Sequence, residues 1–101
     1  MVDQRVLEHA VLEVLPGRQD EYEQALGEAL PIIRSMPGCL SAAVSRSVEA
    51  PNRYLLLVEW APLEDHDPGF RGSARYQAWK ALLHHFYDPF PVVEHFVAVG
   101  S

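Results

Sequence analysis

The chain has 101 residues, enough for one domain and too few for two, so residues 1–101 are expected to form a single domain. Eight basic residues against fourteen acidic ones give a formal net charge of -6, which disfavours binding to nucleic acid. No apolar run approaches the roughly 20 residues that cross a membrane, and no signal-peptide core is expected, so a cytoplasmic location is expected. Cys39 is the single cysteine, which excludes an internal disulfide and a metal site of several cysteines.

The first third of the chain predicts a strand followed by a helix. Residues 6–15 are apolar and β-branched with short polar breaks, and they end at Pro16-Gly17, which indicates a strand. Between residues 18 and 35, apolar side chains recur at helical spacing, which predicts an amphipathic helix. Pro31 lies inside this pattern, so we expect the helix to kink or to end early there.

The rest of the chain predicts a hairpin, a second helix and a last strand. Residues 39–48 and 54–61 have strand composition and are joined by a five-residue turn. Ser73 is placed to cap the second helix, whose apolar residues again share one face. A proline-rich break at 88–91 ends that helix, and residues 92–99 form the last strand.

The predicted order β-α-β-β-α-β is that of the α+β, ferredoxin-like fold. It implies a four-stranded antiparallel sheet in the order 4-1-3-2, with both helices on one face. Strand three is apolar on both sides, with Tyr54, Leu56 and Val58 on one side and Leu55 and Leu57 on the other. We therefore expect a homodimer in which two sheets face each other.

A candidate pocket is predicted in the second half of the chain, where nine of the ten aromatic residues lie at or after Tyr54. The loop before the second helix and the helix itself supply aromatic walls and polar groups. The same spacing is also typical of plain packing in a helix core. The candidate residues are His66, Phe70, Arg71, Tyr76, Trp79, His84, His85, Phe86 and Tyr87.

Adjacent positions on a helix point about 100° apart, so only one of His84 and His85 is able to face the pocket. His85 follows Leu82 by three residues, whereas His84 follows Lys80 by four. We expect His85 to be the inward histidine.

Charged residues on the predicted strands need partners. Strand one carries Glu8 and His9, strand three carries Glu59, and strand four carries Glu94 and His95. They form either structural ion pairs and interface hydrogen bonds, or a mononuclear metal site built from His9, His95 and a carboxylate. No metal-ligand spacing such as H-E-x-x-H supports the second interpretation, so no metal is expected.

Nearly the whole chain resembles the antibiotic biosynthesis monooxygenase family of dimeric α+β barrels. The resemblance lies in the segments EHAVLEVLPGR, SMPGCLSAAVSRS, YLLLVEW and FRGSARYQAWKALLHHFYDPFPVVEHF. It implies the ferredoxin-like fold and a homodimer. This fold hosts cofactor-free quinol and polyphenol oxygenases, haem-degrading enzymes and proteins with no known reaction.

The resemblance also implies positions for functional residues. In the cofactor-free oxygenases, a polar loop residue, an aromatic near the end of the loop and a tyrosine of the second helix fall on His66, Phe70 and Tyr76. In the haem-degrading enzymes, an asparagine, a tryptophan and an iron-binding histidine fall on Ala10, Phe70 and Lys80. Because none of these three is the required residue, haem degradation is not expected.

The function that this resemblance implies is oxidation of a phenolic or quinol-type aromatic substrate by O₂ without a cofactor. A base near neutral pKa removes the hydroxyl proton, and the anion passes an electron to O₂ in a dry, aromatic cavity. The expected roles are His66 or His85 as base, Tyr76 and Trp79 as orienting groups, Arg71 as anion stabiliser, and Phe70 and Phe86 as pocket walls.

Two other functions stay open. One is a non-catalytic dimeric module that binds a hydrophobic small molecule with the same residues as pocket walls. The other is an isomerase or cyclase that uses the histidines for proton transfer. Oxygen dependence separates the oxygenase from both.

Overall fold

A computed structural model describes residues 5–62 and 72–99 of the chain. Its four strands form one sheet in the order β2-β3-β1-β4, and all neighbouring strands are antiparallel. Both the predicted element order and the predicted strand order are confirmed. The elements are β1 (Val6–Glu13), α1 (Gln19–Arg34), β2 (Cys39–Arg46), β3 (Arg53–Trp60), α2 (Ala74–Leu83), a 3₁₀ turn (His84–Phe86) and β4 (Val93–Val97).

Helix α1 runs through Pro31 to Arg34, so an early end at the proline is not observed. Pro31 is exposed and lies in the last turn of the helix. At that position a proline removes a single backbone hydrogen bond, and its carbonyl still accepts from the N–H of Ser35 at 3.1 Å. Burial of Tyr22, Leu26 and other apolar residues on the opposite side of the helix offsets that loss.

Helix α2 begins as predicted at Ser73, whose hydroxyl accepts a hydrogen bond from the backbone N–H of Tyr76 at 3.1 Å. The helix ends at Leu83, earlier than expected, and the chain continues as a 3₁₀ turn. Backbone hydrogen bonds then tie this turn to the end of β1. The N–H of Leu15 donates to the carbonyl of Phe86 at 2.9 Å, and the N–H of Asp88 donates to that of Glu13 at 2.8 Å.

The core lies between the helices and one face of the sheet, which we call the helix-side face. Alternation along β3 defines it, because Tyr54, Leu56, Val58 and Trp60 are buried while the residues between them are only partly buried. The helices contribute Tyr22, Leu26, Ala29, Ile33, Trp79 and Leu83 to the same cluster.

The opposite face of the sheet, which we call the open face, is also apolar. Leu7, Val11 and Phe96 point to it and are 39%, 42% and 46% exposed. Leu55 and Leu57, on the neighbouring strand β3, point to the same face and are partly buried. In the part of the chain that the structure describes, neither helix packs on this face. Neither of these two described helices is long and apolar enough to cross a membrane.

Candidate functional site

The ladder between β1 and β4 places one glutamate and one histidine on each face of the sheet. Glu8 lies opposite His95, and His9 lies opposite Glu94. Directly opposed residues of an antiparallel pair share a face, and successive residues alternate. Glu8 and His95 are therefore on the helix-side face, whereas His9 and Glu94 are on the open face.

This alternation contradicts the metal site considered from the sequence, since His9 and His95 point to opposite sides of the sheet. A single ion cannot reach both imidazoles through the backbone of the strands. Within residues 5–62 and 72–99, no three histidine, cysteine, aspartate or glutamate side chains lie close enough to hold a metal ion.

On the helix-side face, Glu8, Trp60 and His95 form a group that we call the Glu8 cluster. The indole Nε1–H of Trp60 donates to Oε1 of Glu8 at 2.9 Å. Nε2 of His95 lies 3.9 Å from the same oxygen. The Glu8 side chain is only 14% exposed, whereas that of His95 is 49% exposed. A fixed, mostly buried carboxylate therefore faces an accessible imidazole.

Cys39 lies next to the Glu8 cluster, opposite Trp60 on the neighbouring strand. Burial is the largest influence on the pKa of the Cys39 thiol and raises it. The positive charge of Arg34 lowers the pKa by less than burial raises it, and the negative charge of Glu8 adds a smaller upward effect. Because a nucleophilic cysteine needs a lowered pKa, this thiol is a packing group rather than a nucleophile.

A second group of candidate side chains lies along α2 and the segment after it. We call Tyr76, His84, Tyr87 and Phe90 the His84 aromatic group. The His84 ring centroid lies 5.9 Å from that of Tyr76, 6.1 Å from that of Tyr87 and 4.9 Å from that of Phe90. Tyr76 packs against the core, and Phe90 is 61% exposed. The group joins a phenol and an imidazole within an aromatic surface.

The expectation that His85 faces inward is wrong. His85 is exposed, whereas His84 is half-buried and its ring contacts those of Tyr76 and Phe90. The prediction assumed that the α-helix continues through both residues, but α2 ends at Leu83 and the 3₁₀ turn changes the angle at which each histidine leaves the chain.

Phe86 and Trp79 were both expected to contact substrate, and both are buried in the core at 4% and 6% exposure. The Phe86 ring lies 5.5 Å from that of Tyr22 and beneath the guanidinium of Arg18 at 4.9 Å. The His85 ring centroid lies 4.3 Å from that of Phe86. This packing accounts for Phe86 without a ligand.

His66, Phe70 and Arg71 lie outside the described residues, in the segment that joins the end of β3 to α2. Their roles as base, pocket wall and anion stabiliser stay predictions. The described chain stops at Pro62, two residues after Trp60 of the Glu8 cluster, and resumes at Gly72, just before the cap of α2.

A buried set of tyrosines was not predicted from the sequence. The hydroxyls of Tyr22 and Tyr87 are 2.9 Å apart, and the hydroxyl of Tyr54 donates to Glu23 at 2.7 Å. Burial raises the pKa of Tyr87 to about 12 and raises that of Tyr22 as well. These phenols stay protonated at neutral pH, so they stabilise the fold rather than accept protons. Three tyrosines far apart in the sequence give no local signal of such a network.

Comparison with known proteins gives a consistent assignment. The family model for antibiotic biosynthesis monooxygenases matches residues 5–82. The chain is 54% identical over 91 residues to the uncharacterized protein YczJ of Bacillus subtilis, covering 90% of this chain and 96% of that one.

Solved structures agree with this match. The crystal structure of a "putative antibiotic biosynthesis monooxygenase" from Bordetella bronchiseptica is 35% identical, with a TM-score of 0.86 over 95% of this chain and 98% of that one. A second protein with that description, from Caulobacter crescentus, is 23% identical with a TM-score of 0.82 over 97% and 92% of the two chains, and it supports the fold. The chain thus belongs to the antibiotic biosynthesis monooxygenase family.

Proposed function

We propose that the protein is a cofactor-independent monooxygenase that oxidises a phenolic or quinol-type aromatic substrate with O₂. The observation that carries the proposal is the His84 aromatic group, in which the Tyr76 phenol and an imidazole lie within an aromatic surface on α2. Aromatic walls with a few polar groups are typical of sites for aromatic small molecules. Family membership supports the reaction class.

The reaction begins when a histidine removes the hydroxyl proton of the bound substrate. The resulting anion is electron-rich enough to pass one electron to O₂, and the two radicals recombine. One oxygen atom ends as a quinone carbonyl and the other leaves as water, so the substrate supplies all the electrons that O₂ accepts. Tyr76 orients the substrate by hydrogen bonding, and His66 serves as a base or hydrogen-bond donor.

The proposal includes a homodimer formed through the open face. Leu7, Val11 and Phe96 would otherwise leave an apolar patch in water, and such patches commonly mark protein interfaces. Two copies that pack these faces together bury the patch by a self-complementary contact. The helix-side faces then point outward, so each protomer keeps its own candidate site accessible.

The test is oxygen uptake by metal-stripped protein with a panel of hydroquinones and polycyclic phenols. Uptake is expected above the autoxidation rate, and Tyr76→Phe is expected to lower kcat/KM by about tenfold, the value of one lost hydrogen bond in the transition state. His66→Ala is expected to lower it further. Gln77→Ala, an exposed neighbour on the same helix, is the matched control and should leave uptake unchanged.

Absence of uptake with every substrate would overturn the oxygenase proposal. Tight binding of an aromatic compound without turnover would instead favour the binding module. Exchange of solvent protons into a product without oxygen consumption would favour an isomerase or cyclase.

A further inference from the structure

We propose that Glu8 and His95 form a proton-accepting site that takes up the hydroxyl proton of a bound phenol. The proposal rests on the proposed function only for the class of substrate, because Tyr87 of the His84 aromatic group lies beside Val14, six residues further along the chain than Glu8. It places a separate phenol-binding site on the sheet, where two neighbouring strands bring a carboxylate and an imidazole together on the helix-side face. The proton moves from the phenol oxygen to the imidazole, and the phenolate remains bound.

The first support is the way in which the Glu8 carboxylate is held. It is 14% exposed, and its Oε1 accepts the hydrogen bond from the buried indole of Trp60. Among the side chains and backbone groups of the described residues, none donates a hydrogen bond to Oε2. A carboxylate that is mostly shielded from water favours a hydrogen-bond donor or a positive group beside it.

The second support is the orientation of His95. Its Nε2 is the ring atom that lies 3.9 Å from Glu8, so a proton on Nε2 points toward the carboxylate. Nδ1 then carries the lone pair and is the atom that accepts a proton from a ligand. The separation is longer than a hydrogen bond, and contacts of this kind commonly shorten once the base becomes charged.

The third support is accessibility. The residues of β1 that flank Glu8 on this face, Val6 and Ala10, are 7% and 1% exposed. On the edge strand β4, by contrast, His95 and Val97 are each about half exposed on the same face. A ligand is therefore able to approach the imidazole from the β4 side and to rest an aromatic ring on Val97.

The pair is unlike an ordinary stabilising ion pair. A well-packed apolar pair at the same place commonly stabilises a fold as well as a partly buried ion pair does, since burying charge costs free energy. Elsewhere in β1 the helix-side positions are apolar, as Val6, Ala10 and Leu12 show. Glu8 interrupts that pattern, and the interruption falls opposite the one histidine on this face of β4.

The experiment measures the ionisation of a phenol on binding, independently of oxygen. The probe is para-nitrophenol, whose neutral and anionic forms absorb at different wavelengths. In a buffer more acidic than the pKa of the free probe, the wild-type protein is expected to raise the anionic fraction of bound probe at least about fivefold. The spectrum and the dissociation constant are recorded in one titration under nitrogen.

Three variants test which residues cause the ionisation of the bound probe. His95→Gln is expected to return the anionic fraction of bound probe to that of free probe. Glu8→Gln is expected to lower the fraction about threefold with little change in the dissociation constant, because Glu8 acts through His95 as a positioning residue. His9→Gln is the matched control, since it removes a histidine from the same pair of strands on the open face, and it should leave the spectrum unchanged.

A probe that stays neutral on the wild-type protein, or that does not bind, overturns the proposal, and so does an equal loss in His9→Gln and His95→Gln. His95→Asn serves as a second variant if His95→Gln loses the circular dichroism of the folded protein. The two proposals fail separately. Anion formation without oxygen uptake keeps the proton-accepting site and rejects the oxygenase, whereas oxygen uptake by a protein that leaves the bound probe neutral keeps the oxygenase and rejects the site.

Discussion

The two faces of the β1–β4 ladder carry the same two residue types in opposite arrangements. On the helix-side face the carboxylate, Glu8, is on the inner strand and the imidazole, His95, is on the edge strand. On the open face the imidazole, His9, is on the inner strand, where its ring lies 5.6 Å from that of Phe96, and the carboxylate of Glu94 is exposed on the edge. The carboxylate is therefore shielded from water on the helix-side face, where it lies on the inner strand, and exposed on the open face, where it lies on the edge strand.

This difference suits the two faces to different partners. A shielded carboxylate held by Trp60 lies beside an accessible imidazole, which suits proton transfer from a small molecule. An imidazole packed on Phe96 within an apolar surface suits contact with a second copy of the chain.

Adjacent leucines of β3 are expected to respond differently to truncation. Leu56→Ala removes a side chain that is 6% exposed in the core, so the free energy of unfolding should fall by about 2–5 kcal/mol at any protein concentration. Leu57→Ala, on the open face, should lower stability by an amount that depends on protein concentration, because the proposed dimer would cover this side chain. Urea unfolding at two concentrations measures both, and an equal, concentration-independent loss would contradict the division.

A charge on the open face is expected to separate the dimer. Phe96→Lys should raise the dimer dissociation constant about a hundredfold, since it buries an unpaired ammonium between the two sheets. Val97→Lys is the matched control, because Val97 is the next residue, has similar exposure (49% against 46%), and points to the other face. Light scattering coupled to size exclusion gives the mass, and dissociation by Val97→Lys but not by Phe96→Lys would reverse the assignment of the faces.

Removal of the indole N–H is expected to destabilise the helix-side face locally. Trp60→Phe should lower the free energy of unfolding by about 1–3 kcal/mol, because the mostly buried Glu8 carboxylate loses its donor. In the Glu8→Gln background, which removes the charge, the same substitution should cost less. Thermal unfolding of the four proteins completes a double-mutant cycle, and additive losses would show that the hydrogen bond contributes nothing.

The smallest expected effect is alkaline weakening of the helix-side core. The pKa of Tyr87 is raised from its usual 10.0 to about 12 in the folded protein, so above pH 10 the unfolded chain loses this proton first. The stabilising effect of the neutral phenol is complete below pH 10 and is lost as pH rises toward 12. Tyr87→Phe should flatten this decline in urea unfolding, whereas an unchanged slope would remove Tyr87 as its cause.

The sequence predicted most of the fold because the fold depends on local periodicity. Alternation in β3, helical spacing in α1 and the Ser73 cap are each contained in a few neighbouring residues. The end of α2 was not predictable in this way. It falls just before Phe86, which packs on Arg18 and Tyr22 from a distant part of the sequence, and the orientation of the two neighbouring histidines changes with it.

The candidate site was less predictable than the fold. Glu8 and His95 were recognised as charged residues that need partners, but their pairing depends on strand register, and a slip of one residue would move either side chain to the other face. The hydrogen bond of Trp60 to Glu8 joins residues 52 positions apart and has no local signal. Such long-range pairings become visible only in the folded chain.

The division between the two faces is tested most directly by the histidine ring signals in an NMR spectrum, recorded during titration with para-nitrophenol and again on dilution of the protein. The probe is expected to shift the ring signals of His95 and leave those of His9 in place, whereas dilution is expected to shift the signals of His9 and leave those of His95 in place. A probe that shifts only the His9 signals, or dilution that shifts only the His95 signals, would contradict the division between the two faces.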